Sequence, residues 1–187
     1  QYDENPGAIS MQTIKKTYEL LEKGKIVLWY QGNGEVGPRA LGNRSILANP
    51  SIPDMKERVN KKVKKRAWYR PYGASVTKEK YKDYFDLDWE SPYMLYQATV
   101  KDKEKFKSIT HFDGTCRIQT VNNSHEYFYN LLYNFEKLTG FPILLNTSLN
   151  LPGKPIAGKT QDAKDIFKNS EADVLVIGDK ILEKNCL

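Results

Sequence analysis

The sequence predicts one α/β domain built on a mixed sheet. Helix-period and strand-like apolar patterns interleave along its 187 residues. Several strand candidates follow one another without an intervening helix, and no internal repeat or low-complexity linker divides the chain. A chain of this length buries ~70% of its unfolded surface, enough for a full core.

The elements follow in order. Ile14, Tyr18 and Leu21 fall on one helical stripe, which Gly24 ends. Ile26–Tyr30 is a buried strand, and the stretch from Gly37 to Ser45 reads as a loop. Asp54–Val63 is a second helix, opened by Pro53. Ala74–Thr77 and Tyr93–Val100 are strands, the latter half alternating. Asp113-Gly114 signals a turn before the alternating strand Thr115–Val121. Phe128, Leu131, Leu132, Phe135 and Leu138 form the strongest helical stripe, closed by Gly140. Phe141–Leu145 is a further buried strand, Thr160–Lys168 a short helix capped by Thr160, and Val174–Ile177 the last buried strand.

Composition excludes several classes. Hydrophobic residues make up 40% and charged residues 28%, which suits a globular protein and not a disordered one. The longest apolar runs, Ile26–Tyr30 and Phe141–Leu145, fall far short of the roughly 18 residues a membrane span needs. No charged-then-apolar segment leads into a small-residue cleavage site, so the expectation is a soluble, cytoplasmic protein. The chain opens at Gln1 and not at Met, which raises the expectation of a fragment. Cys116 and Cys186 are too few for a disulfide scaffold, and with His111 and His125 they make no zinc spacing; no metal site is predicted.

The net charge of +6 is concentrated. Between Lys56 and Arg70 stand eight basic residues and one acid, so this segment carries +7 and the remainder −1. Lys56, Arg58, Lys61 and Lys62 suit a solvated helix face, whereas Arg66 and Arg70 bracket Trp68 and Tyr69 ahead of Pro71. Guanidinium groups beside aromatic faces on a loop suit a phosphate, a carboxylate or a stacked base.

Two motifs fail on context. Gly153-Lys-Pro-Ile-Ala-Gly-Lys-Thr160 matches the phosphate-binding P-loop letter for letter. However, Asn146–Pro152 separates it from the preceding strand, Pro155 removes a backbone donor, and too little chain follows for the usual parallel sheet. Gly32-Asn-Gly-Glu-Val-Gly37 follows a strand as a dinucleotide fingerprint would, yet Gly42 and Asn43 interrupt any helix there.

Three loops share one chemical character instead. The first presents Arg39 and Arg44, and the second Lys64, Arg66 and Arg70. The third presents Asn146-Thr147-Ser148-Leu149-Asn150, where Asn146, Ser148 and Asn150 share a face if the strand continues. Each charge-assisted contact to phosphate contributes roughly 1.5–3 kcal/mol, so four or five would hold a triphosphate without a P-loop.

Six motifs occur in order. They are Gly34-x-x-Gly-Pro-Arg-Ala-Leu-Gly-Asn-Arg-Ser45, Lys64-x-Arg66-x-x-x-Arg70-Pro71, His111-Phe-Asp-Gly-Thr-Cys-Arg-Ile-Gln-Thr-Val121, Thr139-Gly-Phe-Pro142, Asn146-Thr-Ser-Leu-Asn150 and Pro155-Ile156. Together they resemble the C-terminal domain of the carbamoyltransferase family of nodulation-factor and antibiotic O-carbamoyltransferases, from about Gly24 to about Asp179. The resemblance implies a YrdC-like fold, a twisted mixed sheet with flanking helices, marked by a Lys-x-Arg…Ser-x-Asn set. Here that set is Lys64, Arg66, Ser148 and Asn150.

The implied reaction joins ATP, with Mg²⁺, to carbamoyl phosphate, giving carbamoyl-adenylate with release of phosphate and pyrophosphate. Residues 1–187 would then be the C-terminal domain. A separate N-terminal domain, which holds iron in the family, would pass the carbamoyl group to an acceptor hydroxyl. Arg39, Arg44, Arg70 and Arg117 are candidates for carbamoyl phosphate, with Asn146, Thr147 and His111 as further substrate-binding residues. Cys116 reads as a small core residue and not as a nucleophile. Two other readings rank lower: a basic YrdC-like module that tracks nucleic acid and stacks bases on Trp68 and Tyr69, and a threonylcarbamoyl-adenylate synthase.

Overall fold

Apolar runs that can be buried on both faces become the middle of the sheet. In the computed structural model, which describes residues 3–184, β1 (Val27–Tyr30), β2 (Arg44–Ala48) and β8 (Val174–Ile177) are almost wholly buried. Beside them run β3 (Gly73–Thr77), β6 (Thr115–Val121) and β7 (Ile143–Ser148). The margins are β4 (Phe85–Asp86), β5 (Tyr96–Val100) and β9 (Lys180–Glu183). The sheet order is β4-β5-β6-β3-β7-β2-β1-β8-β9, nine strands among the described residues. β1/β8 and β3/β6 are parallel and the other pairs antiparallel, so the mixed sheet expected from the sequence is the one observed. The edges are a two-residue strand and an exposed one, both poor templates for further pairing.

The helices are α1 (Met11–Glu22), α2 (Met55–Val59), α3 (Tyr81–Tyr84), α4 (Glu126–Thr139) and α5 (Thr160–Lys168). The stripe on α4 buries Phe128, Leu131, Leu132 and Phe135 but leaves Leu138 exposed, because the helix ends at Gly140 before that turn reaches the core. α4 packs against β3 and β7, and α1 packs against α4. Cys116 is fully buried, as expected of a core residue, and Cys186 lies outside the described residues.

Four local expectations are corrected. The loop ends at Asn43, and Arg44-Ser-Ile-Leu-Ala48 is a strand in mid-sheet. The strand placed at Phe141–Leu145 runs instead from Ile143 through Ser148, because β3 pairs with it as far as Asn146 and β2 carries the pairing on to Ser148. The helix from Asp54 is α-helical only to Val59 and then widens into a π turn, Asn60–Lys64. There the Lys65 N–H reaches back to the Asn60 carbonyl (2.6 Å), and Lys65 takes the left-handed conformation, φ 44°. Finally, Thr160 does not cap α5. The Asp162 carboxylate accepts the N–H groups of Gly158 (3.0 Å) and Lys159 (2.8 Å), while Glu4 accepts Thr160 N–H (2.9 Å) and Oγ1 (2.8 Å).

Gly42 shows how tightly the loop before β2 is packed. Its carbonyl accepts Trp29 Nε1 (2.8 Å), its φ is +106°, and a Cβ there would stand 2.2 Å from the Phe128 ring. Gly42→Ala is therefore expected to lower stability by about 3 kcal/mol or more, read as a fall in the urea midpoint at unchanged m-value.

Candidate active site

Sheet topology alone gathers the site. β7 runs antiparallel to β3, so the end of β7 meets the start of β3, with Asn146 opposite Gly73. β6 runs parallel to β3 with Ala74 beside Ile118, which brings Arg117 next to the same point. A Cβ on Gly73 would lie 2.6 Å from Met94 Sδ and 3.2 Å from the Arg117 carbonyl oxygen, so a side chain here would have to displace Met94 and crowd β6. Above this junction lie the loop after β1, carrying Arg39, the loop between the π turn and β3, carrying Arg66 and Arg70, and the turn that carries His111.

Together they enclose a cleft of about 250 Å³. Arg39, Arg66, Arg70 and Arg117 line it, and no carboxylate among the described residues does. The floor is Asn146, Thr147 and Ser148 at the end of β7. Asn146 Nδ2 donates to Ser75 Oγ (2.9 Å) and Ala40 O (3.2 Å), while its Oδ1 is buried with no partner in the protein. Arg39 Nε and Arg66 Nε are likewise buried without a partner. Arg66 is nonetheless held in place: Nη2 donates to Pro71 O (2.8 Å), and the guanidinium lies 4.1 Å over the Tyr72 ring. Tyr72 in turn donates its hydroxyl to Asn60 Oδ1 inside the π turn. Burial and the neighbouring Arg39 both press on the Arg117 guanidinium and lower its pKa from the ordinary value. Cations packed this closely, with unused donors, suit a multiply charged oxyanion.

The chain matches the family profile described as "Carbamoyltransferase C-terminus" over residues 18–184. It belongs to that family. Nodulation protein NolNO of Sinorhizobium fredii is 41% identical over 172 residues, covering 89% of this chain and 25% of that protein. The 3'-hydroxymethylcephem-O-carbamoyltransferase of Streptomyces clavuligerus is 38% identical over 160 residues, covering 85% of this chain and 30% of that enzyme. The chain therefore spans between a quarter and a third of the length of these relatives. Among solved structures, full-length HypF in its phosphate- and nucleotide-bound form shares the fold, with a TM-score of 0.60 at 20% identity over 91% of this chain and 26% of that one.

Within this family domain the predicted residues separate into three groups. Arg39, Arg66, Arg70, Arg117, His111, Asn146, Thr147 and Ser148 all line the cleft. Lys64 and Asn150 stand behind its wall and not in it. Lys64 Nζ donates to Ser148 O (2.9 Å), Ser148 Oγ (3.2 Å) and Asn150 Oδ1 (2.7 Å), and Ser148 Oγ donates to Asn150 Oδ1 (2.7 Å). Arg44 belongs elsewhere, which corrects its placing among the anion-binding residues. It pairs in register with Tyr30 and is fully buried, with its guanidinium 3.6 Å over that ring. Its Nη atoms donate to Gln31 O (2.6 Å) and Glu4 O (2.7 Å) and pair with Asp3 (3.2 Å). Fully buried and turned toward Gln31, Glu4 and Asp3, this guanidinium does not reach the cleft, although its Nε has no partner in the protein.

Tyr72, Asn60 and Met94 escape the sequence reading. Tyr72 adjoins the Arg70-Pro71 signal, but nothing in a basic helix marks Asn60 as the turn that holds it. The false P-loop is explained too, since Thr160, its last residue, binds the chain's own Glu4 carboxylate.

Lys64 is 7% exposed, and its pKa falls from 10.5 to about 7, through burial first and then the Arg66 and Arg70 charges. Between those two pH values the folded protein binds fewer protons at this group than the unfolded chain does. Its contribution to stability therefore rises with pH across the window, by up to about 1.4 kcal/mol per pH unit. Urea unfolding of wild type and Lys64→Met across that window is expected to show their stability difference widening in favour of wild type as pH rises. Parallel curves would mean that the lysine keeps its ordinary pKa in the folded protein.

Proposed function

We propose that this domain forms carbamoyl-adenylate from Mg-ATP and carbamoyl phosphate, for an O-carbamoyltransferase whose preceding domain moves the carbamoyl group to an acceptor hydroxyl. The observation that carries the reading is the carboxylate-free cleft lined by four arginines, with Ser148 tied behind it to Lys64. Family membership, and a relative known as an O-carbamoyltransferase, supply the group transferred. The nucleotide- and phosphate-bound state named for HypF, a protein of the same fold, agrees with the choice of ligands.

The chemistry follows from charge. Water displaces phosphate at the carbamoyl carbon and leaves carbamate. A carbamate oxygen then bonds to the α-phosphorus of ATP as the bond to pyrophosphate breaks. Two anions must meet, and the charge that builds on the phosphoryl oxygens is what fixed cations neutralise. Arg66 and Arg117, braced by Pro71 and by the sheet, are placed to do this without reorganising. Ser148 orients phosphate oxygens, and Lys64, only partly protonated at neutral pH in the folded protein, becomes fully protonated as anionic charge arrives. Burial lowers the His111 pKa, so at neutral pH it serves as an uncharged hydrogen-bonding group. The lining holds no acid to bind a free metal ion, so Mg²⁺ enters with the nucleotide.

Pyrophosphate release from Mg-ATP, measured with and without carbamoyl phosphate, tests this. Release is expected only with both substrates. It should fall by roughly 10²-fold or more in Arg66→Ala, Arg117→Ala and Ser148→Ala, with urea midpoints close to wild type. Lys159→Ala should leave the rate unchanged. Release indifferent to carbamoyl phosphate would refute the reaction, and unfolded variants would reassign those residues to structure.

A further inference from the structure

The arginine cleft accounts for the phosphates of a nucleotide but offers little to its base. Two large aromatic side chains stand beside it uncovered. Trp68 is 68% exposed and Phe112 81% exposed, and their rings meet edge to face at 5.5 Å. Tyr69 meets Trp68 in the same way at 6.1 Å. Neither Trp68 nor Phe112 belongs to the buried core, so packing does not explain them.

Their positions in the chain are informative. Trp68 lies midway between Arg66 and Arg70, two residues from each, and Phe112 directly follows His111, and all three of these neighbours line the cleft. Two loops that each deliver a cation or imidazole inward therefore each deliver an apolar ring outward at the same place. A second exposed pair, Trp89 and Tyr96 at 5.7 Å, has the opposite setting. Trp89 is flanked by Asp88 and Glu90, and such charges repel a polyphosphate.

We propose that Trp68 and Phe112 form the stacking platform for the base of the nucleoside triphosphate whose phosphates enter the arginine cleft. This rests on the nucleotide reading above and adds an orientation to it, with the triphosphate inward and the base at the rim. Stacking on a flat ring is tolerant of base identity, so the platform supplies affinity for nucleotides in general over bare polyphosphate.

Calorimetric titration of the full chain with Mg-ATP and with magnesium tripolyphosphate separates the two ideas. Wild type is expected to bind ATP on the order of tenfold tighter than tripolyphosphate. Trp68→Ala and Phe112→Ala should each lose most of that preference while binding tripolyphosphate as wild type does. Trp89→Ala should change neither affinity. ATP, unlike tripolyphosphate, should also quench tryptophan emission in wild type, and the quench should vanish in Trp68→Phe. Equal wild-type affinity for the two ligands, or a preference that survives both alanine variants, overturns the platform and leaves the anion cleft standing. Failure of ATP to bind at all overturns the nucleotide reading itself, and the platform with it.

Discussion

The arginine cleft depends on β7 remaining a strand for three polar residues beyond its apolar run. Asn146, Thr147 and Ser148 would form a turn if left to local preference, since such side chains compete for backbone hydrogen bonds. They stay extended because β2 pairs with all three and β3 pairs with Asn146 on the other side, which satisfies the backbone where the side chains would otherwise intrude. The polar floor is thus set in register with Gly73 and, through β3, with Arg117. Every loop above it is then aimed at a surface that cannot move without breaking two ladders.

Lys64 links that floor to the basic segment. Its ammonium binds Ser148 and Asn150 at the end of a π turn whose other end, Asn60, holds the Tyr72 hydroxyl. Tyr72 lies under Arg66, so one extra residue in a helical turn places both a buried lysine and a supported guanidinium. Such turns are locally unfavourable, as is Lys65 with φ 44°, and both recur where function needs a side chain re-aimed. Burial first, and then the like charges of Arg66 and Arg70, lower the Lys64 pKa, as burial and Arg39 lower that of Arg117 across the cleft. The sheet core must offset that repulsion, and a bound oxyanion would relieve it.

Residue type alone is a poor guide to role in this chain. Arg44 and Arg39 stand five positions apart in one glycine-rich motif, yet one is buried against the backbone carbonyls of Gln31 and Glu4 and the other faces the cleft. Gly153–Thr160 matches a phosphate loop by letter, yet its terminal N–H binds Glu4. In both cases what decides is where the fold places the donors and which groups of the chain reach them first. Asp3 and Glu4, from the segment before α1, supply several of those partners.

The sequence by itself determined the α/β class, the mixed sheet, the main helices and the chemical character of the site. Apolar period and turn residues are local signals, and six motifs in order are specific enough to mark the family. The clustering of cations in the Lys64–Arg70 segment and the polar run at Asn146–Asn150 were legible for the same reason. Tertiary structure alone decided which of those groups meet. Strand pairing carried β7 to Ser148 and made Arg44 a strand residue, long-range effects that no local pattern encodes. The π turn at Asn60 and the hidden position of Lys64 were settled by packing against β7 and Tyr72, where burial and partner geometry outweigh helix propensity.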